Sequence, residues 1–205
     1  MSTGIRLRHV ASIAGAVQDS ASRARLGGAL VEITDGPPVF QEMLAAQAGS
    51  AAWAQRRERL DRTFSQADGI FFFTDLPAGS YRLRVSAPDW GSRYGVVDTG
   101  PIQVQPAPDS GPVPVAQIFV ALPPTRIHGV ITQAATGQPV AGAQVRLRGD
   151  TVTVRSGDSG QFELTTLVKG KPTIEVMASG LQTITRQVEL APGQARQEDF
   201  VLQAV

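Results

Sequence analysis

A phrase that occurs twice in this chain limits the folds that it can adopt. Residues 69–87 read GIFFFTDLPAGSYRLRVSA, and residues 160–178, which follow 91 positions later, read GQFELTTLVKGKPTIEVMA. In both copies apolar and polar residues alternate on each side of a turn that contains glycine, as they do in a β-hairpin with one buried face. The sequence therefore predicts two domains of the same kind.

A second aligned stretch shows that the first copy carries an insertion. Residues 15–33 align without a gap with residues 129–147, at an offset of 114 instead of 91. The difference between the two offsets is 23 residues, which must lie between Ile33 and Gly69. We expect domain 1 over residues 1–122 with a helical insertion at about 37–65, a Pro-rich linker over 123–125, and domain 2 over 126–205.

The rest of each copy has the pattern of short strands. In domain 2, Val145 and Leu147 alternate with Arg146 and Arg148, and similar runs follow between turns rich in glycine and proline. The connections are too short for crossover helices. We therefore expect an all-β fold of two tandem Greek-key antiparallel β-sandwiches, the first with a short helical insertion.

The motifs follow one another in the same order in both copies. In the second copy the matching residues are Gly129, Pro139, Val140, Gly142, Ala143, Val145, Leu147, Asp158, Gly160, Phe162, Leu167 and Gly170. In the first copy they are Gly15, Gly28, Ala29, Val31, Gly69, Phe71, Leu76, Pro77, Gly79, Tyr81, Leu83 and Val85. This order resembles the carboxypeptidase regulatory-like domain, a member of the transthyretin-like, Ig-like β-sandwiches. The resemblance implies seven-stranded Greek-key modules that generally lack catalysis and act as spacers, adhesion units or companions to enzymes and receptors.

Composition argues against several classes of partner. The net charge is +1, so no strong electrostatic field favours nucleic acid. The sequence also lacks the interleaved aromatic and basic residues that bind single-stranded nucleic acid. No apolar run approaches the ~20 residues of a membrane-spanning helix. The N-terminal stretch RLRHVASIAGAVQ faintly resembles a secretory signal, but its SIAGAV aligns with the internal RIHGVI. We expect no signal peptide, cytoplasmic synthesis, and a place in a released or surface-associated particle, such as a phage-tail-like one.

Residues that carry chemistry are too scattered to predict an enzyme. His9, His128, Tyr81 and Tyr94 are the residue types of a related iron dioxygenase site, but the two histidines belong to different predicted domains. Ser159 in GDSGQF has no histidine placed to activate it. Cysteine is absent, and the acidic residues stand singly instead of clustering as calcium ligands. We expect no catalytic site, no metal and no cofactor.

The insertion is the most individual feature of the chain. Its composition favours helix, with Phe40, Met43, Leu44 and Gln47 on one face and Trp53, Arg57, Leu60 and Phe64 on another. Two interpretations are open: a flap over its own domain, or a docking element for another subunit. The interaction candidates are Phe40, Met43, Leu44, Trp53, Arg56, Arg57, Leu60 and Phe72.

Phe72 belongs to this set because strand alternation turns it outward, where domain 2 has Glu163. An exposed aromatic ring needs a cover or a partner, so we expect the inserted helices to lie near the outer face that bears Phe72. The sequence thus predicts a non-enzymatic structural or interaction protein, a subunit or accessory module of a larger protein assembly. The alternative is a carbohydrate- or ligand-binding module that uses end loops of the sandwich, with Trp90 and Tyr94 as the residues that would stack on the ligand.

Overall fold

The chain divides into two compact units, which are described separately. The computed structural model describes residues 9–49, 51–108, 110–149, 151, 153–165 and 167–205. Unit 1 comprises Met1–Asp89 and Val96–Leu122, and unit 2 comprises Trp90–Gly95 and Pro123–Val205.

Residues 90–95 group with unit 2, although the sequence assigned them to domain 1. The backbone N–H of Gly95 donates to the carbonyl of Pro123 at 2.9 Å, and that of Thr125 donates to the carbonyl of Arg93 at 2.7 Å. Ser92 also accepts a hydrogen bond from the N–H of Lys169 through its hydroxyl. These are contacts between segments far apart in sequence, which a strand pattern does not reveal.

Unit 1 is built from two β-sheets, with the insertion between its second and third strands. Its elements are β1 (Ala11–Asp19), β2 (Leu30–Asp35), α1 (Pro38–Ala48), α2 (Ala51–Gln55), β3 (Arg62–Phe64), β4 (Ile70–Thr74), β5 (Gly79–Ser86), a 3₁₀ turn (Pro88–Trp90) that crosses into unit 2, β6 (Val97–Asp98), β7 (Ile102–Val104) and β8 (Ala116–Leu122). One sheet has the order β4-β1-β8. The other has the order β3-β2-β5-β6, and β7 also pairs with β5.

Unit 2 repeats this arrangement without the helices. Its strands are β9 (Arg126–Gln133), β10 (Gln144–Leu147), β11 (Thr153–Arg155), β12 (Gln161–Leu164), β13 (Thr173–Met177), β14 (Ile184–Gln187), β15 (Ala195–Gln197) and β16 (Phe200–Leu202). One sheet has the order β12-β9-β15, with β16 also on β9, and the other has the order β11-β10-β13-β14.

Strand pairing follows the same plan in both units. β1 pairs antiparallel with β4 and parallel with β8, while β9 pairs antiparallel with β12 and parallel with β15 and β16. The predicted all-β class is confirmed, but the pairing of the first strand with the last is parallel, not antiparallel. The chain crosses to the other sheet and back before its last strand, which therefore reaches the first strand running in the same direction.

Alternation along the strands fills the core as the repeated phrase predicts. Phe71 and Phe73 are buried on β4, and Phe162 and Leu164 are buried on β12. In unit 2 the core draws on both sheets, with buried residues from β9 and β12 meeting those of β10 and β13. Burial of these apolar side chains is the main stabilising term for each unit.

A glycine at the middle of the first strand allows the core to close. A Cβ on Gly15 would overlap the ring of Phe71, and a Cβ on Gly129 would overlap the backbone carbonyl of Glu198. Only glycine leaves room for these close contacts, which explains why both copies have glycine at this position.

A buried serine makes the same hydrogen bonds in both units. In unit 1 the hydroxyl of Ser65 accepts from the N–H of Ala29 at 2.9 Å and donates to the carbonyl of Leu26 at 2.7 Å. In unit 2 the hydroxyl of Ser156 accepts from the N–H of Ala143 at 2.9 Å and donates to a carbonyl at 2.6 Å. Both hydroxyls satisfy backbone groups that lie away from water, where an unpaired group is costly.

The insertion is only partly helical, and the predicted second helical face is wrong. After α2 the chain extends, and β3 pairs antiparallel with β2, so that Arg62 lies opposite Glu32 and Phe64 opposite Leu30. The edge of β2 offers backbone hydrogen bonds to residues 62–64, and Thr63 and Phe64 are residue types that favour strand over helix.

We expect Ser156→Ala to lower the free energy of unfolding of unit 2 by about 1–3 kcal/mol, because the buried N–H of Ala143 loses its acceptor. Chemical denaturation measures the change, and Ser65→Ala should have the same effect on unit 1. Ser159→Ala is the control, since Ser159 is exposed. Equal stability of the Ser156 and Ser159 variants would contradict the role given to the buried hydroxyl.

We also expect residues 126–205 to unfold in one cooperative transition when expressed alone, because the described core cluster of unit 2 comes entirely from this range. The transition should fall below that of unit 2 in the whole chain, since the hydrogen bonds from residues 92 and 93 are lost. Calorimetry checks both points, and a fragment without a transition would show that the range is not an independent domain.

Candidate interaction surfaces

The residues considered for catalysis are not brought together. The described part of the chain contains no group of three or more His, Asp or Glu residues able to hold a metal ion. His9 belongs to unit 1 and His128 to unit 2. His9 Nδ1 lies 2.5 Å from Asp75 at the surface, and this hydrogen bond, with a second from the N–H of Val10, lowers the pKa of Asp75. The pair is a surface contact and offers no enclosed reaction site.

The first inserted helix docks within its own unit through one aromatic side chain. Phe40 is completely buried, and its ring lies edge-on to that of Tyr81, with 5.3 Å between ring centres and 80° between ring planes. The hydroxyl of Tyr81 donates to the carbonyl of Pro77 at 2.7 Å. Phe40 is therefore part of the core of unit 1, while Met43 and Leu44 on the same helix are half-buried.

The second part of the insertion covers its aromatic rings with its own arginines. The guanidinium of Arg59 lies 5.4 Å from the ring centre of Trp53, and that of Arg57 lies 4.4 Å from the ring centre of Phe64. Arg59 also donates two hydrogen bonds to the carboxylate of Asp61, at 3.0 and 3.1 Å. Stacked guanidinium groups shield apolar rings from water, so this segment exposes less apolar surface than its sequence suggests. Of the remaining candidates, Leu60 is half-buried and Arg56 is exposed.

Phe72 lies on an open apolar face of the sheet β4-β1-β8. It is 44% exposed and pairs with Ala14, while Ile70 and Phe119 both pair with Ala16. We call these five residues the aromatic face. The alanines on the central strand form its floor, and the larger side chains on the flanking strands form its walls. A hollow of about 240 Å³ lies over the two alanines, with Ile70 on one side and Gln117 and Phe119 on the other.

One cation lies at the rim of the aromatic face. The guanidinium of Arg25 lies 5.7 Å from the ring centre of Phe119, which is 69% exposed. The residues that line the hollow include no carboxylate. Within the described ranges Arg25 makes no ion pair. The sequence analysis missed both residues, although Phe119 alternates with the inward Ile118 and Val120 and was accessible to the reasoning applied to Phe72.

The inserted helices do not cover the aromatic face, contrary to the expectation from the sequence. The buried side chain of α1 contacts Tyr81 on β5, which belongs to the other sheet. The insertion begins after β2 and ends in β3, and both of these strands lie in that other sheet. Its short connections therefore hold it away from the outer side of β4.

The equivalent face of unit 2 is polar. Glu163 occupies the position of Phe72, pairs with His128 and forms an ion pair with Arg126 at 2.7 Å. Gln161 occupies the position of Ile70. The same strand arrangement thus carries exposed aromatic rings on the outer face of one unit and charged and amide side chains at the matching positions of the other.

The candidate sugar-stacking residues form a contact with each other. The rings of Trp90 and Tyr94 meet edge to face, with 5.8 Å between their centres. Tyr94 is buried, whereas Trp90 is 39% exposed. Only one of the two rings is thus available at the surface, and a two-ring stacking platform is not formed.

Comparison with known proteins assigns a class to part of the chain. Residues 126–203 match the family model of the carboxypeptidase regulatory-like domain. This range coincides with the second β-sandwich. The assignment confirms the resemblance for the second copy; for the first copy the likeness rests on motif order and strand pairing. A search of curated proteins found no match.

Several solved structures resemble the chain weakly. They include the Bacillus anthracis TIE protein, with 16% identity, a TM-score of 0.42 and coverage of 96% of this chain and 34% of that one. A streptococcal ancillary pilin has 16% identity, a TM-score of 0.37 and coverage of 94% and 62%. The shaft pilin SpaA of Lactobacillus rhamnosus GG has 12% identity, a TM-score of 0.40 and coverage of 94% and 97%. The chain thus spans about a third of the first protein and 62% of the second.

Helices long and apolar enough to cross a membrane are not found among the described residues.

The docking of α1 predicts a stability change at high pH. Burial raises the pKa of Tyr81 from 10.0 to about 12, so the folded unit favours the neutral phenol. This contribution is complete below pH 10 and is lost as the pH rises towards 12. We expect Tyr81→Phe to destabilise unit 1 by about 1 kcal/mol at pH 8, through loss of the hydrogen bond to Pro77.

That deficit should shrink or reverse between pH 10 and 12, because the variant has no phenol to ionise. Urea denaturation across this pH range measures it. A difference between the two proteins that stays constant with pH would show that burial of Tyr81 does not control its ionisation.

Proposed function

We propose that this chain is a non-enzymatic structural subunit that joins another protein through the aromatic face of unit 1. The observation that carries the proposal is the exposure of Phe72 and Phe119 on a sheet whose counterpart in unit 2 is polar. Large exposed aromatic side chains on the two strands that flank β1 cost hydration free energy, and binding a partner removes that cost. A subunit interface is the simplest reason for one unit to keep such a face.

The chemistry of the face indicates what the partner presents. The hollow can accommodate a ridge of apolar side chains from a partner. Arg25 at its rim can form an ion pair with a carboxylate of that partner. A second copy fits poorly, because a two-fold pairing brings the same face to both sides and this face supplies no carboxylate. We therefore propose a different protein, whose apolar ridge is flanked by Asp or Glu.

The finer setting of the proposal is a larger assembly, either a released particle such as a phage-tail-like one or a surface-associated structure. The family match of unit 2 supports a module without catalytic activity, since domains of this family generally act as spacers or accompany enzymes and receptors. The aromatic face supplies the specific contact that such a module requires.

Site-specific photo-cross-linking tests the proposal. A benzophenone analogue of phenylalanine is introduced at position 72, 119 or 201 in the producing cell. Val201 is a matched control, because it is 53% exposed on the corresponding sheet of unit 2. We expect positions 72 and 119 to give an adduct with one different protein, and position 201 to give none.

Arg25→Glu should lower the yield of that adduct several-fold, because it replaces the attractive charge with a repulsive one. Thermal unfolding of each variant confirms that the fold persists, since exposed substitutions usually change stability by only about 0.5 kcal/mol. An adduct of twice the mass of the chain would show self-association instead. Equal labelling at all three positions, or none, would refute the proposed interface.

A further inference from the structure

A wide cleft opens on unit 2. Its volume is about 810 Å³, and it is lined by the ends of β10, β11 and β12 and by the turn that leads into β13. Leu147, Val154, Leu167 and Pro172 give it an apolar floor. Four cations line the same cleft: Arg93, Arg148, Lys169 and Lys171. We call this site the basic cleft.

The cations of unit 2 divide into two groups according to their partners. Outside the basic cleft, Arg126, Arg146, Arg186 and Arg196 each form an ion pair with a glutamate. Arg155 donates to the carbonyl of Gly142. The four cations of the basic cleft make no ion pair within the part of the chain that is described. Of the five cations of unit 2 that make no ion pair among the described residues, four therefore line this cleft, and the fifth is Arg155.

The carboxylate that also lines the cleft does not neutralise this charge. Glu163 accepts a hydrogen bond from Arg126 at 2.7 Å, so its charge is already matched by a cation outside the lining. Lys169 and Lys171 are moreover the only lysines of the chain. A site with four cations that make no ion pair among the described residues, around an apolar floor, attracts a ligand that combines negative charge with apolar groups.

The strands beside the cleft favour an extended peptide as that ligand. β11 and β12 lie at the ends of their sheets, and each pairs with one strand only. Open strand edges present backbone groups that an extended segment can match. No aromatic ring is among the lining residues, so the stacking platform that commonly binds sugars is missing there.

We propose that the basic cleft binds an extended acidic segment of a protein, with carboxylates on the four cations and apolar side chains on the floor. This site is separate from the aromatic face, and neither proposal depends on the other. The unit that matches the carboxypeptidase regulatory-like domain would thus have a binding role of its own.

Fluorescence anisotropy with the whole chain tests the proposal. The probe is a fluorescein-labelled decapeptide of alternating glutamate and valine. We expect saturable binding that weakens as salt is raised, since exposed charge pairs are screened. A lysine–valine peptide of the same length should not bind. Polygalacturonate and pyrophosphate serve as competitors, which separate a peptide site from a site for sugar acids or phosphate.

Matched substitutions assign the binding to the cleft. Arg93→Gln with Arg148→Gln, and separately Lys169→Gln with Lys171→Gln, should weaken the peptide at least tenfold. Arg56→Gln with Arg82→Gln is the control, because it removes the same charge from exposed arginines of unit 1. This control should change the affinity by less than twofold.

Three results would overturn the proposal. They are failure of the glutamate–valine peptide to bind, an equal loss of affinity in the control variant, and stronger binding of polygalacturonate or pyrophosphate than of the peptide. Circular dichroism of each variant confirms that the loss of affinity does not come from unfolding.

Discussion

In each unit the first strand lies between two others, and a glycine at its middle lets the core close around it. The ring of Phe71 lies against Gly15, and the backbone of Glu198 lies against Gly129. A side chain at either position would push the neighbouring strand or ring away, and the shared core of the two sheets would open. The close contacts of these two glycines are thus part of the dense packing of each core.

The hydrogen-bonded frame and the outer surfaces have diverged to different degrees. Ser65 and Ser156 make equivalent bonds in the two units, whereas Phe72 and Glu163 occupy equivalent positions with opposite chemistry. Because side chains alternate across a strand, the outer residues can change without disturbing the core. The two units therefore share an architecture but differ in surface chemistry, with an exposed aromatic face in unit 1 and a cleft lined by four cations in unit 2.

Sequence reasoning succeeded where the signal was local. The period of two along GIFFFTDL indicates both the buried rings and the outward Phe72, and the offset of the repeats locates the insertion. It failed where distant segments decide the outcome. Residues 62–64 have helix-forming neighbours but pair with the edge of β2, and residues 90–95 bond to strands that begin after Pro123. The basic cleft draws Arg93, Arg148 and Lys169 from three separate loops, so no run of charge in the sequence marks it.

The arginines that stack on aromatic rings differ in whether a carboxylate also binds them. Arg59, over Trp53, is bonded to Asp61, and Arg186, over Phe200, is paired with Glu198. Burial opposes ionisation of Glu198, but its hydrogen bonds from Arg196 and Arg186 prevail and lower its pKa, so that pairing is retained well into acid. Arg57 makes no ion pair among the described residues, but the ring that it covers, that of Phe64, is half-buried in a strand. Arg25 lies over the far more exposed Phe119, and no carboxylate lines the hollow beside it. A guanidinium binds a planar carboxylate and a ring face at the same time, so the missing acid at Arg25 is the group that a partner is best suited to supply.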